Sequence, residues 1–445
     1  MLAVSMAAAP QHSLPKRCGS WAAMKGAYRL LSNHDIDPDA MQEPHRVRTR
    51  RRCAGHARVV VAHDHTEIDL TFHRKVKGRG FIGDGRGMGF LQSTALALTP
   101  QGEVIGLLHQ SWFNRPERPK GETAAQRLGR WRESQAWTEA IAAVGEAPEG
   151  CRFVHVADRE ADDFANFAAS LSCNADFVIR VQHGDRRLAG DASGFGGGSL
   201  RAAAEAGKVL GQRVLEIGAH RDPKNILTSA GRTATVELRA AEVSVKPPAG
   251  TAAAKAKAAP LRLRALLVRE IDPPADAEPV DWLLLTNLPC ETAAAAWEAV
   301  DFYRCRWVIE EFHRVEKEGC LLEDAQLDDV RDFHRLAAVT GVVAVRIMEL
   351  RDAARAAERD PGRDTPAVLQ TLAEPGMIAV AALKNKLEPA ALTVRQFFRC
   401  VARQGGHPGR KRDGMPGWKT LFKGWYDFEQ MAAGYDLARQ QGKCG

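Results

Sequence analysis

A chain of 445 residues with 45% hydrophobic content can bury a large core, and its length predicts two to three domains. The formal net charge of +7 at pH 7 favours a polyanionic partner. The nine cysteines are scattered without the close pairs of a zinc site, which is typical of a reducing compartment. The longest apolar run contains Arg346 and is too short for a bilayer, and no basic residues precede the apolar start. A soluble, cytoplasmic protein is therefore expected.

The first part of the chain predicts helices up to about Arg52 and ends in a basic run from Arg46 to Arg52. A cationic run beside a folded domain can bind phosphates, but it can equally be a solvated connector. The sequence does not decide between these two interpretations.

Beyond Arg52, apolar and β-branched runs alternate with helical patterns, and two of the predicted strands end in an aspartate. The predicted order is three strands, a helix, a strand, a helix and a strand: residues 57–64, 91–98, 103–109, 121–144, 153–157, 161–171 and 177–181. This is the order of an RNase H-like α/β domain. Asp64 ends the first strand and Asp158 follows the fourth, so both are expected at one edge of the sheet.

The middle of the chain predicts a β-rich insertion. Residues 190–199 are Gly-rich, and the segments that follow alternate or run apolar as strands do: residues 233–238, 242–245 and 261–268. Between the last two, residues 247–260 form an Ala/Lys/Pro/Gly stretch that predicts a mobile loop. Residues 282–287 predict a return to a buried strand, and residues 336–358 a long helix.

Residues 301–317 contain no Gly or Pro, and their apolar residues recur at helical spacing. Tyr303, Arg306, Glu310 and Lys317 fall together in a different sector of the predicted helix. A carboxylate beside fixed cations suits a site that handles metal ions and phosphates. The alternative is a solvated helix face with ion pairs.

Asp64, Asp158 and Glu310 thus lie on three elements that are predicted to meet. Magnesium binds through a few carboxylates and keeps water and substrate phosphates as its other ligands. Two such ions, about 3.5–4 Å apart, can activate an attacking oxygen and stabilise the leaving one in phosphoryl transfer.

The spacing Y-x2-R-x3-E-x6-K from Tyr303 to Lys317 resembles that of bacterial insertion-sequence transposases of the cut-and-paste DDE superfamily with the Tyr-Arg-Glu-Lys signature. Further stretches are similar to this family: AHDHTEID, GLLHQSWFNRPE, ADREAD, FVIR, WLLLTN and GRKRDGMPGWKTLFKGW. The resemblance covers most of the chain from about Trp21 onward.

This resemblance implies an RNase H-like catalytic core that is interrupted by the β-rich insertion, with helical parts at both termini. Asp64, Asp158 and Glu310 would be the catalytic residues and bind two magnesium ions, with manganese as a substitute. The implied activity is strand cleavage at a transposon end, formation of a DNA hairpin, and strand transfer to target DNA.

The resemblance also implies DNA contacts. Tyr303, Arg306 and Lys317 would hold a phosphate beside a flipped base, and Trp282 would stack on that base. A core tryptophan is the alternative for Trp282. Arg159 and Arg180 are further candidate phosphate contacts, with surface ion pairs as the alternative.

The expected parts of the chain are a truncated helical DNA-binding part (residues 1–52) and the first part of the core (53–189). They are followed by the insertion (190–275), the second part of the core (276–350) and a helical dimerisation region (351–445). The expected partners are double-stranded DNA, both terminal repeats and target, and a second copy of the chain in a nucleoid-associated complex. Compared with the family, only the last part of the N-terminal domain, residues 21–52, is expected here. A remnant that binds DNA or pairs with a full-length transposase, and a stand-alone nuclease that serves DNA repair, are the alternatives.

Overall fold

The computed structural model describes residues 2–441 except for 3–5, 7–9, 11, 19, 116–118, 120, 124–125, 127–129, 190–197, 219, 222–226, 230, 276 and 411–412. Most of the Gly-rich stretch 190–199 therefore lies outside the described residues. The same holds for Pro116 and Glu117 and for Lys411 and Arg412, which belong to two of the family-like stretches.

The N-terminal part is helical, as the sequence predicts. Its helices are α1 (Leu14–Arg17), α2 (Trp21–Ser32) and α3 (Pro38–Cys53). Ser20 caps α2 by accepting a hydrogen bond from the backbone of Ala23, and Asp37 precedes the proline that begins α3. The basic run therefore lies within α3, since the helix continues to Cys53.

Ten strands in the described part of the chain form one mixed sheet with the order β2-β3-β1-β5-β6-β12-β11-β10-β7, and β4 pairs with β3. The strands are β1 (Arg58–Asp69), β2 (Gly80–Ile82), β3 (Gly87–Leu98), β4 (Val104–Phe113), β5 (Arg152–Ala157), β6 (Asp176–Arg180), β7 (Lys208–Ile217), β8 (His220–Arg221), β9 (Leu227–Ser229), β10 (Arg232–Val245), β11 (Leu261–Glu270) and β12 (Asp281–Thr286). Strands β8 and β9 form a separate small ladder. The strands of the expected insertion thus extend the central sheet through β12, with which both β6 and β11 pair.

The helices between and after the strands are α4 (Gln135–Val144), α5 (Phe164–Ser172), α6 (Leu200–Glu205), α7 (Ala252–Lys255), α8 (Ala293–Arg304), α9 (Trp307–Arg314), α10 (Val330–Arg359), α11 (Pro366–Leu372), α12 (Pro375–Asn385), α13 (Val394–Gln404) and α14 (Trp418–Gln441). An α/β fold with a large mixed sheet and helices at both ends is therefore confirmed. In the described part of the chain, no helix is long and apolar enough to cross a membrane.

Both faces of the central strands are buried, which explains why β1 reads as a continuous apolar run. Val60 and Ala62 join a core with α8, α9 and α10, whereas Val59 and Val61 join a second core with α4. Successive side chains of a strand point to opposite faces, so this division follows directly from the extended backbone.

Three expected boundaries are wrong. Strand β1 does not end at Asp64 but continues to Asp69, because its antiparallel pairing with β3 runs that far. The helix expected over residues 121–144 is not continuous, because residues 130–134 are not helical and α4 begins at Gln135, while residues 124–125 and 127–129 lie outside the described residues. The loop 247–260 contains the short helix α7.

The single helix expected over residues 301–317 is also wrong. Helix α8 ends at Arg304, α9 begins at Trp307, and a π-helical turn covers Val315–Gly319. The apolar periodicity nevertheless corresponds to burial on one side, as Phe302, Ile309, Phe312 and Val315 are all buried. Periodicity survives because the first break covers only Cys305 and Arg306 and the π-helical turn continues directly from α9, which leaves the direction of neighbouring side chains largely intact.

Candidate active site

Asp64 and Asp158 are brought together by the register between β1 and β5. Ala62 pairs with Val156 in this parallel ladder. Two residues further along both segments are Asp64 and Asp158, which this register places next to each other. Because side chains alternate along a strand, Asp64 lies on the face of Val60 and Ala62. Helix α9 packs against β1 on this face.

Asp158 directly follows β5 and caps a short 3-10 turn, Arg159–Ala161. Its Oδ1 accepts a hydrogen bond from the backbone N–H of Glu160 at 2.9 Å. This local bond orients the carboxylate, and an ionised aspartate still has lone pairs for a cation.

Glu310 is presented by α9, whose buried side chains Ile309 and Phe312 fix the rotation of the helix against the sheet. Its Oε1 accepts a hydrogen bond from Arg306 Nη2 at 2.6 Å, and Arg306 lies one turn earlier. A charge-assisted contact of this length in a half-buried position is one of the stronger polar interactions in proteins.

Asp158 and Glu310 lie close enough to Asp64 to act on it electrostatically. Burial raises the pKa of Asp64 to about 7, the charge of Arg306 opposes this shift, and the charges of Asp158 and Glu310 add to it. Asp64 thus stands beside two carboxylates with one guanidinium to balance them. The structure therefore brings together the three acidic residues that the sequence singled out.

Two uncharged neighbours complete the surroundings of Asp64. His313 Nδ1 lies 3.7 Å from Asp64 Oδ2, and Thr94, the cross-strand partner of Asp64, contacts His313 Nε2 at 3.2 Å. Burial, followed by the charge of nearby Lys317, lowers the pKa of His313 to about 3. The imidazole is therefore neutral and adds no positive charge to the site.

The donor set suits a hard divalent cation. Carboxylate oxygens are the ligands that magnesium prefers, and the mutual repulsion at Asp64 is the kind that a bound cation relieves. In the part of the chain that the structure describes, no three His, Cys, Asp or Glu side chains already stand together as ligands of one metal ion. Glu310 instead has Arg306 as its partner. The three acids thus suit a cation in their ligand type and charge, but the Glu310 carboxylate forms an ion pair with Arg306.

Tyr303 and Trp282 lie together next to these acids. Their rings are in edge contact with centroids 5.9 Å apart, and Trp282 is half-buried where β12 begins. The helical pattern set Tyr303 apart from the apolar side, but the structure shows that Tyr303 is buried. Burial lowers the pKa of Arg306, but the nearby groups of Glu310, Tyr303 and Asp64 outweigh burial and raise it. These three residues therefore lie close to the Arg306 guanidinium.

Arg159 and Arg180 line a common cavity of about 250 Å³ with Arg201 and Asp281. Arg201 makes a two-pronged ion pair with Asp281 at 2.8 and 3.1 Å. Arg180 donates to the Asp281 carbonyl at 3.4 Å, and Arg159 is exposed. Three guanidiniums beside one carboxylate leave the cavity positively charged, which suits a phosphate.

Lys317 lies in the π-helical turn after α9, where its Nζ is 3.6 Å from Glu323 Oε1. Its influence on the pKa of His313 shows that it lies on the same side as Asp64. A Cβ on Gly319 would lie 2.6 Å from the Phe422 ring of α14, so only glycine lets the C-terminal helix pack this closely on the turn.

The residue next to Lys317 points the other way, into the core. Glu316 is fully buried and accepts hydrogen bonds from Gln92 Nε2 (2.7 Å), Gln110 Nε2 (3.4 Å) and Thr340 Oγ1 (3.2 Å). Gln110 in turn accepts from Gln42 of α3 at 2.5 Å. The network joins α3, β3, β4, the π-turn and α10.

The basic run of α3 is mostly occupied by contacts within the protein. Arg46 pairs with acids of its own helix, Arg50 donates to the Val144 carbonyl at 2.7 Å, and Arg52 donates to the Ile105 carbonyl at 2.6 Å. Arg48 and Arg51 are exposed. Arg50 and Arg52 therefore fasten α3 to the end of α4 and to β4, and only part of the run is open to solvent.

A comparison with known families bears on the N-terminal helices. Residues 1–36 match the model of a transposase DNA-binding family. This match supports a transposase that binds DNA. The match starts before Trp21, so the similarity to DNA-binding transposase sequence extends further toward the N-terminus than the sequence motifs indicated.

The matched segment is fastened to the rest of the molecule near the π-turn. Arg335 of α10 donates to the carbonyls of Leu31 (3.1 Å) and Ile36 (2.9 Å), and His34 contacts Asp332 at 2.9 Å. The segment that matches a DNA-binding family therefore packs on the helix that follows the candidate site.

Three residues of this region were missed from the sequence: His313, Glu316 and Arg201. His313 follows Glu310 by three residues among apolar neighbours, and this spacing could have indicated that it faces the sheet. Glu316 was one charged residue among several, and no sequence signal distinguishes a buried glutamate from a solvated one. Arg201 depends on tertiary contact with Asp281, 80 residues away.

Proposed function

We propose that this chain is a DNA transposase of the DDE type with an RNase H-like core, which cuts one strand at a transposon end, forms a hairpin on the opposite strand and joins the end to target DNA. The observation that carries the proposal is that Asp158 and Glu310 lie close enough to Asp64 to raise its pKa, with Arg306 paired to Glu310 beside them. Binding of phosphates alone needs cations and gains nothing from three neighbouring carboxylates. The transposase DNA-binding match of residues 1–36 independently supports the coarser statement, a transposase that binds DNA.

Asp64, Asp158 and Glu310 are the residues that would hold magnesium in this proposal. Magnesium ions, when bound, make water or a 3′-hydroxyl a better nucleophile and stabilise the leaving oxygen. Asp158 is already oriented by its backbone bond, and Asp64 is held by the paired strands β1, β3 and β5. Both aspartates thus contribute from rigid elements of the sheet, as a pre-organised site requires.

Arg306 and Lys317 would bind the phosphates that flank the cut bond. Arg306 lies against Glu310, so it can hold a phosphate oxygen next to the acids. The half-buried Trp282 ring, braced by Tyr303, offers a stacking surface for an unstacked base. The cavity of Arg159, Arg180 and Arg201 provides a further phosphate position at the end of β6.

The proposed partners are duplex DNA and a second copy of the chain, because a transposase must hold two DNA ends at once. The C-terminal helices α11 to α14 are the proposed dimerisation region.

The test is a cleavage assay on a labelled duplex that carries the element's own terminal repeat, with DNA binding measured in parallel. Asp64→Ala, Asp158→Ala and Glu310→Ala are each expected to abolish magnesium-dependent cleavage and to leave binding largely intact. Glu298→Ala is the matched control, because Glu298 is a surface carboxylate of α8 paired with Arg58. Metal-dependent cleavage by any of the three variants at the wild-type rate would remove that residue from the proposed site.

A further inference from the structure

The loop between β1 and β2, residues 70–79, exposes an aromatic ring among several cations. Phe72 is 91% exposed, which exceeds the exposure of every other large apolar side chain in the described part of the chain. Arg74, Lys75 and Lys77 of the same loop are also exposed. A single exposed ring is common on protein surfaces, so the feature that points to a partner is the combination of this ring with three exposed cations.

The loop is ordered despite this exposure. Arg79 lies below it and donates to the carbonyls of Leu70 (2.9 Å), Arg74 (3.0 Å) and Val76 (3.1 Å). Backbone bonds from His73 to Leu70 and from Val76 to His73, both 3.0 Å, close two turns, and Val76 is buried. The guanidinium of Arg79 therefore acts as an internal brace, and Phe72 is held outward on a pre-formed turn.

The loop is also attached to the segment that carries Lys317. Lys77 N donates to the Asp328 carbonyl (2.9 Å), and Val330 N donates to the Lys77 carbonyl (3.0 Å). At the start of the loop, Asp69 N donates to Glu323 Oε1, the same oxygen that lies 3.6 Å from Lys317 Nζ. The loop and Lys317 thus share a rigid support.

The three cations of the loop have no acidic partner among the described residues. Arg74, Lys75 and Lys77 form no ion pair there, whereas Arg86 in the next turn pairs with Asp84. Lysine is depleted from protein–protein interfaces, while cations around an aromatic ring are the usual composition of surfaces that bind nucleic acid strands. The chemistry of the loop therefore favours DNA over a protein partner.

We propose that residues 70–79 form a DNA-binding platform for the DNA end that Lys317 holds. Arg74, Lys75 and Lys77 bind successive backbone phosphates, and Phe72 stacks on a base at the distorted end. The inference rests on the proposed function for the identity of the polymer, and it adds a contact surface that is attached to the segment following Lys317.

The cations are tested by the salt dependence of binding to a fluorescent terminal-repeat duplex, measured without magnesium so that no cleavage occurs. Each phosphate contact contributes about 0.9 to the slope of log K against log salt concentration, so the triple variant Arg74→Ala, Lys75→Ala, Lys77→Ala should lower the slope by about 2 to 3. The control is Lys246→Ala, Lys255→Ala, Arg262→Ala, which removes the same charge from exposed positions on and between β10 and β11. An unchanged slope in the loop variant, or an equal fall in the control, would refute the platform.

The ring is tested on the same duplex with 2-aminopurine at the terminal positions. Phe72→Ala is expected to weaken binding by about 5- to 150-fold and to raise the 2-aminopurine emission, because one stacked base is exposed. Phe72→Tyr should retain both properties, and Val214→Ala, at a side chain of β7 that is 62% exposed, should change neither. Wild-type affinity in Phe72→Ala would rule out stacking. If the wild-type chain itself failed to bind DNA, the proposed function would fail rather than the assignment of this loop alone.

Discussion

Asp64 and Glu316 are two acids whose pKa is raised to about 7, and burial is the largest cause in both. Their surroundings differ. Glu316 is fully buried, and the hydrogen bonds from Gln92, Thr340 and Gln110 oppose the rise in its pKa. Asp64 faces two further acids, Asp158 and Glu310, which add to the rise.

The contrast separates an acid that is satisfied within the core from one whose neighbours suit a cation. The oxygens of Glu316 are saturated by neutral donors from three elements, which is how a core accommodates a polar group. Asp64 has an excess of negative charge around it, which is unfavourable unless a cation binds. A raised pKa by itself would not distinguish the two residues, but the identity of the neighbours does.

The largest expected difference is in activity. Asp64→Asn should reduce cleavage by at least about 10³-fold, because a neutral amide is a poor metal ligand, and should not lower stability. Glu316→Gln should keep cleavage within a few-fold of wild type. Single-turnover cleavage of the terminal-repeat duplex checks both, and strong loss of activity in a folded Glu316→Gln would show that this acid has a chemical role.

The second difference is in stability. Glu316→Ala should lower the free energy of unfolding by about 3 kcal/mol, because it leaves the Gln92 amide buried without its acceptor and removes one acceptor each from Gln110 and Thr340. Glu316→Gln retains a carbonyl oxygen as an acceptor and should lower the free energy of unfolding less than Glu316→Ala does. Denaturant unfolding monitored by circular dichroism measures both, and equal losses for Ala and Gln would mean that charge, rather than hydrogen bonding, matters at this position.

The third difference is in pH dependence. The pKa of Glu316 rises from 4.5 in the unfolded chain to about 7 in the folded protein, so its contribution to stability is complete below pH 4.5 and is lost as pH rises through 7. Between pH 4.5 and about 7, the free energy of unfolding of wild type should fall by up to about 3 kcal/mol relative to that of Glu316→Gln. Asp64 should show the same trend relative to Asp64→Asn.

Magnesium distinguishes the two acids within this experiment. Added magnesium should flatten the Asp64 difference, because a bound cation stabilises the carboxylate, and should leave the Glu316 difference unchanged. Other titrating groups, such as Glu429, whose pKa is raised to about 9 by burial, are present in both wild type and variant. Their contributions cancel when the stability of the variant is subtracted from that of wild type. If magnesium left both pH profiles unchanged, the three acids would not be a cation site.

The smallest expected effect concerns the cations at the site. Arg306→Ala and Lys317→Ala should slow hairpin formation about tenfold more than the first nick, because a distorted DNA end depends more on held phosphates than an intact duplex does. Arg304→Ala is the control, since Arg304 is exposed and pairs with Asp301 on α8. Both rates come from one labelled substrate, and equal slowing of the two steps would make these residues general phosphate contacts.

The apolar patterning of the chain predicted most of the strands and helices, because period-2 and period-3.6 burial are local properties of the backbone. It did not predict the end of β1, which depends on pairing with β3, or the turn at Val315–Gly319. Hydrogen bonds between distant segments decide both features, and a sequence window does not contain them.

The sequence by itself determined which acids and cations are candidates, since the spacing of Tyr303, Arg306, Glu310 and Lys317 and the two strand-associated aspartates are visible without any structure. Only the tertiary structure decided that Asp64 and Asp158 lie in register, that Glu310 pairs with Arg306, and that Phe72 stands exposed while Glu316 is buried. The physical reason is that charge type and spacing are written in the chain, whereas burial and neighbours arise only when segments far apart in sequence pack together.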